Sequence, residues 1–422
     1  MRVELSLASA PPAAPPPWKD CKVNEVIFAV TNRLHVSTLL FVLVFAALAP
    51  AQTFTTLYEF TGRSGAWPYA GLIQDSKGDL YGTTDGGSNV TCFDGPGCGL
   101  VFKLDKSGTE TVLYSFTGTP DGGTPMAPVL LDESGNIYGT TQYGGGSKNC
   151  PLGCGTVFMI DAAGKATVLH SFTGRSDGCY PDQGVIRDAA GNLYGTTYGC
   201  SPTRGTIFKI DSAGLFTVLH TFAGFPADGS GPIFGQLARD NSSSLYGVTT
   251  QGGAYNAGVV YKVSETGVLK ILHSFGGGSD GCEPLGSVLW ASGTLYGTTS
   301  GCGANNGGTI WEINAAGKET ILHQFNGGTS DGCAPDGGVT LDSKGNLYGT
   351  TTSCGAHNQG ALYQLSASGR LTLLHSFEKP GGLSPHGEVL LTTEGELLGT
   401  SLDGGPGPCE GYGCGTVWSY QP

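Results

Sequence analysis

The sequence is short of charge, of methionine and of extended apolar runs. Only 13% of its 422 residues are Asp, Glu, Lys or Arg, against roughly 25% in ordinary globular proteins. The 21 basic residues face 34 acidic ones, the net charge is −13, and the basic residues nowhere form a run. That argues against DNA, RNA or an anionic membrane surface as partner, because these are held by Lys and Arg contacts to phosphate. Methionine occurs three times, whereas glycine occurs 72 times. Glycine costs about 1 kcal/mol at a helix position, which excludes a coiled coil or helix bundle. It does not recur at every third residue, which excludes collagen. With 39% hydrophobic residues the chain is not a disordered polar one. An all-β protein with many tight turns remains.

The single long apolar run lies near the start. Pro11, Pro12, Pro15, Pro16 and Pro17 are followed by Arg33 and by an apolar stretch from Val36 to Ala51. Ala49-Pro50-Ala51 before Gln52 has the small-x-small pattern of a cleavage site, so residues 1–51 read as a leader with a secretory signal peptide. An uncleaved anchor is the rival reading, and the run is short for a span of ~20 residues. No second run of this kind precedes Pro422. The expected mature domain is 52–422, with a secreted, periplasmic or cell-surface location.

The rest is repetitive. Leu80-Tyr81-Gly82-Thr83-Thr84 has counterparts centred on Gly139, Gly195, Gly247, Gly297, Gly349 and Gly399, at spacings of 57, 56, 52, 50, 52 and 50 residues. A second motif, Gly-x-hydrophobic-aromatic, ends at Phe102, Phe158, Phe208, Tyr261, Trp311, Tyr363 and Trp418. A third, of the type Val112-Leu113-Tyr114-Ser115-Phe116, ends at Phe60, Phe116, Phe172, Phe222, Phe275, Phe325 and Phe377. A fourth begins near Ala70 and recurs six more times, the last near Gly387. Each reads as a short strand, and Asp-x-x-Gly segments such as Asp75-Ser76-Lys77-Gly78 read as turns. Four short strands every ~50 residues describe one propeller blade.

The strands can be lettered A (fourth motif), B (Leu-Tyr-Gly-Thr-Thr), C (Gly-x-hydrophobic-aromatic) and D (third motif). The mature chain opens on a D strand around Thr56–Phe60 and closes on a C strand around Gly415–Trp418. The expected fold is therefore an all-β, seven-bladed β-propeller with four antiparallel strands per blade, its ring closed by the N-terminal strand completing the last blade. An open solenoid would need polar capping repeats. The strand-B glycine is expected to allow close approach of backbone and neighbouring sheet.

These three motifs resemble the GloVer (Gloeo/Verruco) tandem-repeat family of exported bacterial proteins, over roughly residues 53 to 420. The resemblance implies export. It carries no assigned catalytic residues to transfer.

Thirteen cysteines are present. Cys21 lies in the leader. The other twelve read as six disulfides: Cys92–Cys98, Cys150–Cys154 and Cys409–Cys414 within B–C loops, and Cys179–Cys200, Cys282–Cys302 and Cys333–Cys354 joining D–A to B–C loops. Zinc is the rival reading, but the spacings do not match its usual ligand patterns. No metal or cofactor is expected.

Residues identical in every blade build the fold, so a site must break the repeat. His170, His220, His273, His323 and His375 share one D-strand position and read as structural, and the recurring Asp-Gly pairs beginning at Asp121, Asp177, Asp228, Asp280 and Asp331 read as turn caps. The residue after the proline leading into strand A varies: Tyr69, Met126, Asp182, Ile233, Leu285, Asp336 and His386. These should ring the mouth of the central channel. Asp336, His386 and Tyr69 fall in consecutive blades and form a possible acid, base and contact group, with Asp182 as a further acid. Loop aromatics on the same face (Trp67, Phe93, Tyr143, Tyr180, Tyr198, Tyr255 and Tyr412) are possible sugar-stacking residues, with packing between loops as the alternative. The functional expectation is a monomeric, exported binding or interaction module for an extracellular glycan or protein. A polysaccharide lyase or hydrolase working at the channel mouth, and a structural cell-envelope protein, are the alternatives.

Overall fold

Strands of five or six residues joined by Asp-x-x-Gly turns can bury their apolar side chains only by stacking against copies of themselves. The computed structural model, which describes residues 52–87, 92, 97–201 and 203–422, contains seven four-stranded antiparallel sheets arranged in this way. In blade 1, strand A is Ile73–Gln74, B is Leu80–Thr84, C is Leu100–Leu104 and D is Glu110–Ser115. Blades 2 to 6 repeat the order A-B-C-D. Among the described residues there is no α-helix, and no helix long and apolar enough to cross a membrane. The protein is an all-β, seven-bladed propeller. The leader and Phe93 lie outside the described residues.

Blade 7 combines the two ends of the domain. Strands A to C are Leu390–Leu391, Leu397–Ser401 and Thr416–Gln421, and the fourth strand is Thr53–Glu59. Thr53 lies opposite Gln421 and Glu59 opposite Thr416. A register shift between Thr56 and Tyr58 matches the bulge in the C–D pair of the other six blades.

The turns follow their chemistry. Asp75 accepts from the N–H groups of Lys77 and Asp79, both at 2.9 Å, and Gly78 takes the positive φ of 86° that closes the turn. The strand-B glycine has a different purpose from the one expected. It leaves room for an aromatic ring from strand C of its own blade: Gly82 lies opposite Phe102, and Gly399 opposite Trp418. A Cβ on either glycine would run into that ring. The rings are fully buried, so the repeated glycines and aromatics are complementary halves of each blade's core.

Two latches join neighbouring blades. The residue before each strand-A proline is left-handed, as at Trp67 (φ 58°) and Tyr180 (φ 57°). Its N–H donates to the preceding blade's B–C loop: Trp67 to Cys414 and Tyr180 to Cys154, both at 2.9 Å. The first threonine of strand B donates to the next blade's strand-A segment, from Thr83 to the Ala127 carbonyl at 3.0 Å and, across the closure, from Thr400 to Ala70 at 2.8 Å. This second latch is missing on both sides of blade 4. Thr196 Oγ1 is buried without a partner, and blade 4 itself carries Val248 in place of the threonine.

All six disulfides form as paired above. Three close B–C loops in blades 1, 2 and 7, and three tie D–A to B–C loops in blades 3, 5 and 6. Blade 4 has none.

Candidate functional site: the channel mouth and the loop face

The strand-A segments line the central channel, and three residues from consecutive blades meet there. His386 Nδ1 approaches Asp336 Oδ2 at 3.4 Å, but it is not aligned for a hydrogen bond and has no other partner. The Tyr69 ring stacks on His386 with centroids 4.5 Å apart. It also stacks on Phe234 of blade 4, at 5.1 Å.

Phe234 was not among the expected ring residues. The spacing from the proline points to Ile233, but blade 4 has one extra residue between Pro232 and Asp240 compared with Pro181 to Asp188. That insertion puts Phe234 in a left-handed conformation (φ 63°) and sends its ring into the channel. Between Tyr69, Met126, Phe234, Asp336, His386 and Glu388 a cavity of about 30 Å³ remains, room for one or two waters and too small for a sugar.

Burial governs the acids nearby. It pushes Asp182 and Glu388 up to about 7 and Asp85 up to about 6. Asp182 is 2% exposed and its Oδ1 has no hydrogen-bond partner. Glu388 has some accessible surface in the narrow cavity, and burial is still the largest influence on it. Tyr69 is raised by burial first and then by the charges of Asp336, Asp85 and Asp182.

The D-strand histidines sit on the outer side of the blades, away from the channel. Four are held by the aspartate of the following turn: His170 by Asp177 at 3.3 Å, His220 by Asp228 at 2.9 Å, His273 by Asp280 at 3.2 Å and His323 by Asp331 at 3.3 Å. The same aspartates accept turn N–H groups, as Asp228 does from Ala223 and Gly224. His375 has no such aspartate. It stacks on Phe54 at 3.8 Å, and burial lowers it to about 4. Among the described residues, two groups have the makeup of metal ligands. Cys150, Cys179 and Cys200 cluster, but all three sulfurs are consumed in disulfides. His273, Asp280 and Glu319 lie within 4.8 Å of one another at the seam of blades 4 and 5.

The loop aromatics divide into two sets. Trp67, Tyr143 and Tyr180 are partly buried: Trp67 packs on the core of the seam between blades 7 and 1, and Tyr143 meets Tyr180 edge to face at 5.6 Å. Tyr198, Tyr255 and Tyr412 are 41%, 68% and 62% exposed. Lys379 Nζ lies 5.7 Å from the Tyr412 ring. Phe225, 58% exposed in the D–A loop leading to blade 4, joins this set. Its position beside Pro226, in a loop that lacks the disulfide of its counterparts, is the signal in the sequence that marks it. Tyr198 lies over Gly231 of the same loop, where an added Cβ would come within 3.1 Å of the ring. Tyr198 and Phe225 thus belong to the adjoining corners of blades 3 and 4, whereas Tyr255, in the B–C loop of blade 4, lies toward Gly276 of the loop leading to blade 5.

Solved propellers share the architecture at low identity. The extracellular domain of a putative hybrid two component system from B. thetaiotaomicron superposes with a TM-score of 0.54 at 11% identity, covering 87% of this chain and 39% of that one. A gluconolactonase from Xanthomonas campestris gives 0.44 at 13% identity, covering 87% and 89%. A luciferin-regenerating enzyme gives 0.44 at 14%, covering 88% and 95%. The first of these likenesses shows the fold alone. No curated protein matches the sequence. The model of the Gloeobacter/Verrucomicrobia repeat matches residues 43–242 and 234–422, the whole of the propeller, and the chain belongs to that family.

Proposed function

We propose that the protein is an exported binding module that holds an extracellular glycan through the loop face of blades 3 and 4. The observation that carries this reading is the exposure of three rings on the loops of blades 3 and 4, where the repeat is most irregular: Tyr198 and Phe225 at the junction of the two blades and Tyr255 on the B–C loop of blade 4. Aromatic faces stack on the apolar faces of sugar rings, and the exposed side chains of Gln251, Asn256 and Arg204 beside them offer hydrogen bonds to hydroxyls. Six disulfides suit an oxidising compartment. A glycan array probed with residues 52–422 tests the proposal. Binding should appear, and replacing Tyr198, Phe225 and Tyr255 by alanine should weaken it by about tenfold or more, at about 1 kcal/mol per ring, with little change in melting temperature. An array without binders, or binding indifferent to all three changes, rejects it.

The approach of Asp336 to His386 favours a second reading, acid–base chemistry at the channel mouth. It requires Tyr69 or Phe234 to swing aside, since the present cavity admits only water. If a hydrolytic or lyase activity is found on any polysaccharide, Asp336→Asn and His386→Gln should each lower kcat by about a hundredfold. Unchanged rates would exclude that site.

A further inference from the structure

Six of the seven B strands place tyrosine before the glycine: Tyr81, Tyr138, Tyr194, Tyr246, Tyr296 and Tyr348. In five of these blades the phenol donates to the aspartate that opens the A–B turn, as Tyr246 does to Asp240 at 2.8 Å and Tyr194 to Asp188 at 3.0 Å. Blade 7 lacks both halves of this pair, carrying Leu398 and Thr392 instead. Its C and D strands are also far apart in sequence, so no hairpin turn joins Gln421 to Thr53. The seam between blades 7 and 1 consequently holds a cleft of about 850 Å³, on the face opposite the disulfides. At the seam of blades 4 and 5, where Tyr246 and Trp290 stand, the corresponding space is about 210 Å³.

Leu57, half-buried, is the apolar residue open to the larger cleft, and Leu80, Leu104 and Leu398 lie buried beneath it, among the polar residues Gln74, Thr392 and Gln421. Asp75, Asp105, Glu394 and Glu396 stand around it, against the single cation Lys106, whose side chain is folded over Gly78. Asp105, hydrogen-bonded by Ser107, and Glu394, hydrogen-bonded by backbone N–H, stay below the ordinary carboxylate range, so the rim is anionic at neutral pH. Leu57 is the bulge residue of its strand, skipped in the register between Thr56 and Tyr58. It therefore brings main chain as well as side chain to the cleft.

We propose that this cleft binds a peptide segment that packs an apolar side chain on Leu57 and sets lysine or arginine against the acidic rim. Leu57 offers an apolar surface, and the anionic rim attracts cations and repels fatty acids and acidic lipids. A basic, apolar peptide matches both, and the outer strand that carries Leu57 is an open sheet edge with which an extended chain can pair. The site lies on the other face from the aromatic loops and is independent of the glycan reading.

The test uses residues 52–422 and a fluorescein-labelled peptide of alternating Leu and Lys, read by fluorescence anisotropy. The native protein should bind it, more weakly as salt rises. Thr392→Asp with Leu398→Tyr installs the pair that five other blades already carry. It should fill the cleft and weaken binding by about tenfold or more while the melting temperature is kept or raised. Glu394→Gln with Glu396→Gln, on the surface, should weaken binding about threefold or more and flatten the salt dependence. No binding to the native protein, binding by both double variants within about twofold of native, or equal binding of an alternating Leu–Glu peptide overturns the proposal.

Discussion

Phe234 and Tyr69 come from blades three apart in the ring of seven, as far apart as two blades can be, yet their aromatic rings stack at 5.1 Å across the channel. The contact depends on one inserted residue, and it plugs what would otherwise be an open bore. Phe234→Ala should cost about 0.5–1.5 kcal/mol for the lost ring pair, in addition to the buried area, as read by urea unfolding. It should also admit water to Tyr69. Tyr69 is held above the ordinary tyrosine value chiefly by burial, so in the variant its phenol should ionise at lower pH. Ultraviolet titration against a Tyr69→Phe control measures this.

Blade 4 is the least tied blade. It has no disulfide and lacks the threonine latch on both sides, at Thr196 and at Val248. Its backbone amides should exchange with deuterium faster than those of blades 3 and 5, in the strand Leu245–Thr249 most clearly. Mass spectrometry of exchanged peptic fragments should show this directly. Uniform protection around the ring would mean that side-to-side packing alone sets local stability.

Two sets of acids give stability opposite dependences on pH. Asp177 and Asp331 are held below the ordinary carboxylate range, because hydrogen bonds from turn N–H groups and from His170 and His323 outweigh burial. Their contribution is present above about pH 4 and is lost as pH falls through their folded values. Asp182 and Glu388, raised to about 7 by burial, bind protons in the folded state that the unfolded chain has released. Stability from these two is present below about pH 4 and declines as pH rises to 7. The melting temperature should therefore fall between about pH 4 and 7, and Asp182→Asn with Glu388→Gln should flatten that fall by a few degrees. Calorimetry from about pH 2 to 8 checks both limbs, and an unchanged slope in the double variant would contradict the assignment.

The number of blades, the order of strands and all six cysteine pairs were legible in the sequence, because each depends on local spacing. A turn is fixed by Asp75 and Gly78 within one segment, and Cys179 meets Cys200 because two loops of one blade share an end. The meeting of Asp336, His386 and Tyr69 was legible for the same reason, since position in the repeat sets position in the ring. The plug was not, because a single inserted residue exchanges Ile233 for Phe234 and has no effect on periodicity. Exposure of the loop aromatics was also hidden. Tyr143 and Tyr180 shield each other while Tyr255 stands alone, and only the relative placement of neighbouring loops decides between these outcomes. The pairing of Tyr81 with Asp75, and its absence at Leu398 and Thr392, is present in the letters, but only the folded blade brings the two positions into hydrogen-bond contact.

The pairing of Thr53–Glu59 with Thr416–Gln421 also sets an order of events during biosynthesis. A chain that emerges N-terminus first makes the outermost strand of blade 7 before any other strand, and its partner last of all. Until the ribosome has delivered Trp418, that first strand has nothing to pair with, and the latch from Thr400 to Ala70 stays open. The ring cannot lock before that last strand has been made. A nascent chain is thereby kept from closing prematurely by its own topology.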